Sequence, residues 1–186
     1  MHVMTQTALA PLYFAYGFNL NLMQMRQKCS RARVAGIARL PGYKLGFYEH
    51  TVVWDGAMET LIPDGQSQVW GVLYSLNASE WEELDSYEDA RVDGSGAYFH
   101  FPVEVIDVDR SAKQAMVFLK ARLGKPELPS TEYMAVLLQG AQDQGLPAEY
   151  IAQLQHIESK PASYPVPKRP SSNRVSMAVG DCSGCE

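Results

Sequence analysis

The chain has little cysteine, no long apolar run and no excess of positive charge. Its 186 residues include only 3 cysteines, too few for a disulfide framework. No apolar stretch approaches the roughly 18 residues that a membrane-spanning helix needs. The net charge is −5 at pH 7 and the pI is about 5.4, which does not suggest a nucleic-acid-binding face.

The first residues also lack a basic region followed by an apolar stretch, so no signal peptide is expected and a cytoplasmic location is predicted. Hydrophobic residues make up 46% of the chain and charged residues 20%, close to the average for globular proteins. The length fits one domain with a sizeable core. No nucleic-acid or membrane partner is therefore expected.

The cysteines and histidines do not form a metal-binding pattern. Cys29 lies in a basic stretch that would favour its thiolate, although a free, half-buried thiol is the commoner arrangement. Cys182 and Cys185 form a Cys-x-x-Cys pair without two further ligands at the usual spacing, and we expect a flexible end there. The histidines at 50, 100 and 156 lie in unrelated settings. We expect neither a metal nor a cofactor.

Most of the chain reads as short strands separated by turns. Runs of β-branched and aromatic residues predict strands at 12–15, 34–40, 43–48, 57–62, 68–76, 98–108 and 115–121. Pro41-Gly42 and Pro63–Gly65 are predicted as turns between them. Helices are predicted after a cap at Asn77 or Ser79, from Ser130, and over 148–157. Because the strands follow one another, we predict an α+β fold, a small mainly antiparallel β-barrel with flanking helices.

Three regions are predicted along the chain. Residues 1–11 read as a flexible N-terminus and residues 12–158 as one domain. Pro, Ser and Lys accumulate over residues 159–186, which we expect to be a C-terminal tail, or an arm on the surface, that catalysis does not need.

The most informative stretch is Tyr16–Leu20. A strand runs directly into a Gly-Asn turn, after which the composition becomes helical. Backbone N–H groups at such a corner are unpaired and form a ready anion site. Gly17 would let the backbone approach a ligand. Asn19 has two equal interpretations, a contact in this site or the cap of the following helix.

Four segments in the right order resemble the gamma-glutamylcyclotransferase family. They are Tyr16–Leu20, Trp70–Leu76, Leu84–Glu88, and the stretch from Tyr133 to Leu154. Phe18 departs from the pattern, since it stands where the family has a serine. The resemblance covers roughly residues 12 to 158 and implies the family's small antiparallel barrel with flanking helices.

The resemblance also implies a reaction. The α-amine of a γ-glutamyl amide attacks its own γ-carbonyl, which gives 5-oxoproline and a free amine or amino acid. Glu88 would be the general acid/base, and no cofactor would be needed. The implied substrate-binding residues are Tyr16, Gly17, Phe18, Asn19, Leu20, Tyr98 and Tyr133. A monomer or a homodimer is expected.

Other interpretations stay open at the level of sequence. Without the resemblance, Glu88 would be one solvent-facing acid among many, and Tyr98 and Tyr133 would be core residues. A non-catalytic small-molecule binding protein, with Phe18 filling the site, is one alternative. An amide hydrolase in which Glu88 activates water is another. Phe18 makes the predicted pocket more apolar, which favours a hydrophobic leaving amine.

Overall fold

The computed structural model describes residues 12–168. In this range the elements follow in the order β1 (Leu12–Ala15), a 3-10 turn (Phe18–Leu20), α1 (Leu22–Lys28), β2 (Arg33–Thr51), β3 (Gly56–Ser75), α2 (Ala78–Glu88), β4 (Tyr98–Asp107), β5 (Ala112–Lys120), α3 (Thr131–Asp143) and α4 (Ala148–Gln155). The expectations for residues 1–11 and 169–186, including Cys182 and Cys185, lie outside the described residues. Of the helices within 12–168, none is both long and apolar enough to cross a bilayer.

The strands form a closed barrel in the order β1-β3-β2-β4-β5. β5 pairs with β1 in parallel and every other pairing is antiparallel. Because the sheet closes on itself, each of the five strands pairs with a neighbouring strand on both sides. The predicted α+β barrel with flanking helices is therefore confirmed. β1 lies between β3 and β5, so the turn that follows Ala15 sits at one end of the barrel.

The two predicted turns at Pro41-Gly42 and Pro63–Gly65 are wrong. β2 and β3 are single strands of 19 and 20 residues that pair along their length, and the chain reverses between Thr51 and Gly56. The two Pro-Gly segments face each other at a shift in register, where Pro41 pairs with Gln68 and Tyr43 with Pro63. The chain does not reverse direction at these segments, because β2 and β3 remain paired before and after the shift in register. The two segments therefore form a bulge.

Helix α2 begins at Ala78 and is capped by Asn77, one of the two predicted caps. The Asn77 side chain accepts from the Glu80 N–H at 3.0 Å, and Glu80 Oε2 accepts from the Asn77 N–H at 3.0 Å. This reciprocal pair fixes the start of the helix. The helix ends at Glu88, and Asp89 follows in the left-handed region at φ 47°. The cap and the left-handed residue together set where Glu88 lies.

Cys29 is fully buried, deeper than the half-buried position expected for a free thiol. Its Sγ donates to the Glu80 carbonyl oxygen at 3.2 Å. Burial, reinforced by the nearby carboxylates of Glu80 and Glu83, raises the pKa of the Cys29 thiol to about 11. The basic stretch around it therefore does not make a reactive thiolate.

The segment 159–168 lies against the barrel. Lys160 pairs with Glu127 at 2.6 Å, Ser163 donates to Asp55 through both its N–H and its hydroxyl at 2.6 Å, and the Tyr164 hydroxyl donates to the Val52 carbonyl at 2.7 Å. The Lys168 N–H donates to the Val53 carbonyl at 2.7 Å. We therefore propose that the folded unit extends beyond residue 158 to at least residue 168.

Removing this segment tests that proposal. A chain ending at residue 158 loses these hydrogen bonds, each worth about 0.5–1.5 kcal/mol. We expect its Tm to fall by about 5 °C or more relative to a chain ending at residue 168, measured by differential scanning calorimetry. Equal melting temperatures for the two truncated chains would place the boundary at 158 instead.

Candidate active site

A cavity of about 310 Å³ opens at the end of the barrel where β1 runs into the 3-10 turn. Its wall is formed by β1, the turn, α1, the β2–β3 hairpin, α2, β4, β5 and, from the C-terminal segment, Pro167. Of the predicted site residues, the wall includes Tyr16, Gly17, Phe18, Asn19, Glu88 and Tyr98. A larger groove of about 540 Å³ runs between the β2–β3 bulge and α4, but none of the described residues that line it carries a carboxylate.

Glu88 is held in the cavity by two donors. Its Oε1 accepts from Lys28 Nζ at 2.7 Å and from Asn19 Nδ2 at 2.9 Å, and Lys28 also donates to Asn19 Oδ1 at 2.9 Å. The side chains of Lys28 and Glu88 are only 18% and 15% exposed. Charge-assisted hydrogen bonds of this kind are roughly twice as strong as neutral ones, so the carboxylate has a defined orientation. Lys28 carried no functional prediction from sequence.

Asn19 is buried and connects several elements. Besides Glu88, its Nδ2 donates to the Tyr13 hydroxyl at 2.9 Å, and its backbone carbonyl accepts from Tyr74 at 3.0 Å. The alternative interpretation, that Asn19 caps the next helix, is wrong: Asn21 is the N-cap of α1 and accepts from the Gln24 N–H at 3.2 Å. Asn19 is thus free to bond to Glu88.

A second carboxyl group, Glu59 on β3, occupies the strand-to-helix turn. Its Oε1 accepts from the Phe18 N–H at 2.9 Å, and the Tyr133 hydroxyl donates to its Oε2. A Cβ on Gly17 would lie 1.6 Å from Glu59 Oε1, so only glycine permits this approach. The predicted anion site at this turn therefore binds a carboxyl group, but the carboxyl group is that of Glu59 and not that of a ligand.

Sequence analysis missed Glu59, although a signal existed. It is the only charged residue in the predicted strand Ala57–Ile62, whose other residues are apolar except for Thr60. Acids are almost never fully buried unless they are paired, so a lone acid in such a strand marks a specific contact. Glu59 is only 9% exposed. Its partners, Phe18 and Tyr133, are distant in sequence and only the fold brings them together.

Burial raises the pKa of Glu59 above its ordinary value, and the negative charge of Glu88 adds to this. The hydrogen bonds from Tyr133 and Phe18 act in the opposite direction without cancelling the effect of burial. Burial also raises the pKa values of the tyrosine phenols around the cavity, Tyr13, Tyr16, Tyr98 and Tyr133. These phenols are neutral donors near pH 7.

The phenols hold the cavity wall together. The Tyr16 hydroxyl donates to the Phe118 carbonyl, and the Tyr98 hydroxyl donates to the Glu59 carbonyl at 3.4 Å. Two predicted contact residues do not line the cavity. Leu20 is fully buried in the core because it packs inward at the end of the 3-10 turn, and Tyr133 is fully buried behind Phe18 and Glu59.

Phe18 belongs to an aromatic cluster beside the turn. Its ring stacks on Tyr133 with centroids 5.4 Å apart and an interplanar angle of 15°, and it lies 5.1 Å from Trp54. The Lys28 ammonium is 5.4 Å from the centre of the Phe18 ring. The ring leaves the cavity open and gives it an apolar wall.

Within residues 12–168, His, Cys, Asp and Glu side chains do not gather in groups of three or more that could hold a metal ion. The chemistry that the cavity offers rests on two carboxyl groups, an ammonium, neutral phenols and aromatic walls. Such a pocket suits proton transfer to and from a small polar molecule.

Comparison with known proteins agrees with this geometry. The chain matches the model of the AIG2-like family over residues 68–154. It is 30% identical over 151 residues to the human gamma-glutamylcyclotransferase, covering 79% of this chain and 78% of that protein. It is 32% identical over 152 residues to the bovine gamma-glutamylcyclotransferase, with coverage of 79% and 78%.

A solved structure of a gamma-glutamyl cyclotransferase superposes with a TM-score of 0.77 at 29% identity, covering 84% of this chain and 92% of that one. The closed barrel with its acidic, aromatic end pocket, in a chain with these relatives, thus defines a small-barrel enzyme. The sequence identity to the two gamma-glutamylcyclotransferases, and the share of each chain that is covered, identify the family within this class. The chain belongs to the gamma-glutamylcyclotransferase family of enzymes.

The position of Glu59 predicts an unusual dependence of stability on pH. A carboxyl group whose pKa is higher in the folded state favours folding at low pH, and this contribution is lost as the pH rises through the raised value. Glu59→Gln keeps an acceptor for the Phe18 N–H, places an amide donor opposite the Tyr133 oxygen, and removes the charge. We expect the free energy of unfolding of Glu59→Gln, relative to the wild type, to increase as the pH rises above about 4.5, measured by urea denaturation.

The matched control is Glu104→Gln, which removes an exposed acid on β4 that accepts a hydrogen bond from Gln114 at 3.0 Å. Its stability should run parallel to that of the wild type over the same pH range. A constant difference between Glu59→Gln and the wild type at every pH would show that Glu59 titrates normally.

Proposed function

We propose that the chain releases an amine or amino acid from a γ-glutamyl amide by cyclisation to 5-oxoproline, with Glu88 as general acid/base. The observation that carries this proposal is the position of Glu88. It stands in the Leu84–Glu88 motif, at the end of a capped helix, and faces the cavity with its carboxylate held by Lys28 and Asn19.

The reaction requires that the substrate be held in a folded conformation and that protons be transferred between its two nitrogen atoms. Glu88 takes a proton from the substrate's α-ammonium, and the freed amine attacks the γ-carbonyl carbon. A new C–N bond closes the five-membered ring, and the bond from the same carbon to the leaving nitrogen breaks. Protons lost by the α-nitrogen pass to the leaving nitrogen, one of them through Glu88. Because ring closure is intramolecular, holding the substrate folded supplies much of the acceleration.

The residues around Glu88 have positioning roles in this proposal. Lys28 and Asn19 fix the carboxylate so that it can reach one nitrogen and then the other. Phe18 and Trp54 provide an apolar surface, and Tyr98 also lines the cavity and carries a neutral phenol. The cavity of about 310 Å³ is at the lower end of the range for small-molecule sites, which fits a short substrate.

The two alternatives, a binding protein and an amide hydrolase, differ from this proposal in whether a product forms and which one it is. The binding-protein alternative required Phe18 to fill the site, and the open cavity beside the ring argues against it. An amide hydrolase would use the same carboxylate on water and release glutamate. A mass-spectrometric screen of γ-glutamyl amines and amino acids for 5-oxoproline against glutamate separates the three.

Glu88→Gln tests the assigned base. Glutamine keeps the size and the acceptor oxygen of the side chain but cannot take a proton, so kcat/KM for 5-oxoproline release should fall by ~10²-fold or more. Substrate binding, measured by isothermal titration calorimetry, should persist. Glu82→Gln, an exposed acid on the same helix, is the matched control and should retain wild-type turnover. Near-normal turnover by Glu88→Gln would refute the assignment.

Phe18→Ser tests the apolar wall. Replacing the ring removes its contacts with Trp54 and Tyr133 and exposes a hydroxyl to the cavity. We expect kcat/KM to shift toward γ-glutamyl compounds with small or polar leaving groups by about tenfold relative to alkyl and aromatic ones. Phe18→Leu, which stays apolar, should keep the wild-type order. An unchanged order in Phe18→Ser would show that the ring does not contact the leaving group.

A further inference from the structure

We propose that Glu59 determines specificity at this site by selecting γ-glutamyl amines whose leaving amine carries no carboxylate over γ-glutamyl amino acids. This inference rests on the proposed function and adds to it the chemical class of the leaving group. Three features of the cavity carry it: the occupied backbone donor, the balance of charged groups, and the apolar wall.

The first feature is the turn donor, which is already satisfied. Glu59 Oε1 accepts from the Phe18 N–H at 2.9 Å, and Tyr133 donates to Oε2. A backbone N–H at a strand-to-helix turn is the natural partner of a ligand carboxylate. A substrate carboxylate directed at this donor would have to displace Glu59 from a buried position and leave it without its partners. The turn is therefore closed to an additional anion.

The second feature is the balance of charged groups around the cavity. Among the described residues that line it, the charged groups are two carboxyl groups, Glu59 and Glu88, and one ammonium, Lys28. Lys28 is engaged by Glu88 at 2.7 Å and by Asn19. A γ-glutamyl group brings one carboxylate and one ammonium and adds no net charge. A leaving group with its own carboxylate adds a negative charge where carboxyl groups already outnumber cations.

The third feature is the wall available to the leaving group. The β2–β3 hairpin contributes Val53, Trp54 and Met58 to the cavity, and the turn contributes Phe18. These side chains offer apolar and aromatic contact without a guanidinium or ammonium to pair a carboxylate. An alkyl or aromatic amine gains from burial here at about 25 cal/mol per Å² of apolar surface. A carboxylate in the same place would lose its hydration without gaining a partner.

The contact of Glu59 with the turn is specific. Gly17 has room for no side chain because Glu59 Oε1 would lie 1.6 Å from its Cβ. Tyr133 is fully buried and gives its hydroxyl to the same carboxyl group. A buried acid costs stability unless it is paired, so a buried acid that is held by two partners and lines the candidate site points to a functional use.

The experiment uses two substrates that differ only in the carboxylate, γ-glutamyl-leucine and γ-glutamyl-isoamylamine. Wild-type protein should turn over the isoamylamine compound with a kcat/KM at least about tenfold higher. In Glu59→Gln, which keeps an acceptor for the Phe18 N–H, this ratio should fall by about fivefold or more. Glu104→Gln changes the net charge equally at a distance from the cavity and should keep the wild-type ratio.

Several results would overturn the inference. These are a wild-type ratio near one, a preference for γ-glutamyl-leucine, or a ratio that Glu59→Gln leaves unchanged. Circular dichroism checks that the variant folds, and Glu59→Ala in the same assay replaces it if it does not. If both variants fail to fold, the wild-type ratio decides the inference.

A binding measurement separates this inference from the proposed function. If wild-type protein turns over neither compound, the proposed reaction fails, and isothermal titration calorimetry with the same two compounds decides the role of Glu59. Tighter binding of the isoamylamine compound that is lost in Glu59→Gln supports the selectivity without the reaction. Equal binding of the two compounds, or no binding of either, overturns it.

Discussion

Asn19 is the residue on which the arrangement of the site depends. Its side chain bonds to Tyr13 on β1, Lys28 on α1 and Glu88 on α2, and its carbonyl accepts from Tyr74 on β3. A buried amide that satisfies donors and acceptors from separate elements gives those elements one relative position, because each unmade bond would leave a buried polar group unpaired. The barrel end, the turn and the proposed base are thereby joined.

The site combines two carboxyl groups in different surroundings. Glu88 faces an ammonium and an amide, whereas Glu59 is buried against a backbone N–H and a phenol. Pairs of acids in contrasting environments commonly take different roles at one site. Here the proposed roles are proton transfer for Glu88 and the exclusion of anions for Glu59. Phe18 links the two, since its N–H binds one acid and its ring lies near the lysine that binds the other.

Much of the fold could be predicted from local patterns. The strands at 98–108 and 115–121 and the helix caps at Asn77 and Ser130 depend on alternation and on side chains that bond to nearby backbone, and the structure has them close to the predicted bounds. The turns at Pro41 and Pro63 could not be decided in this way. Pro and Gly break regular pairing, but whether the chain then reverses or bulges depends on the partner strand.

The sequence by itself determined the family, the barrel class and the place of Glu88 in the Leu84–Glu88 motif, since these depend on motifs and on their order and spacing along the chain. Only the tertiary structure decided what the turn at Phe18 binds. Glu59 is 41 residues from Phe18 and Tyr133 is 74 residues from Glu59, so barrel closure is needed to bring them together. Nearly every residue carries a backbone N–H, so the sequence does not show what a given N–H binds. Its partner is the acceptor that the tertiary fold places beside it.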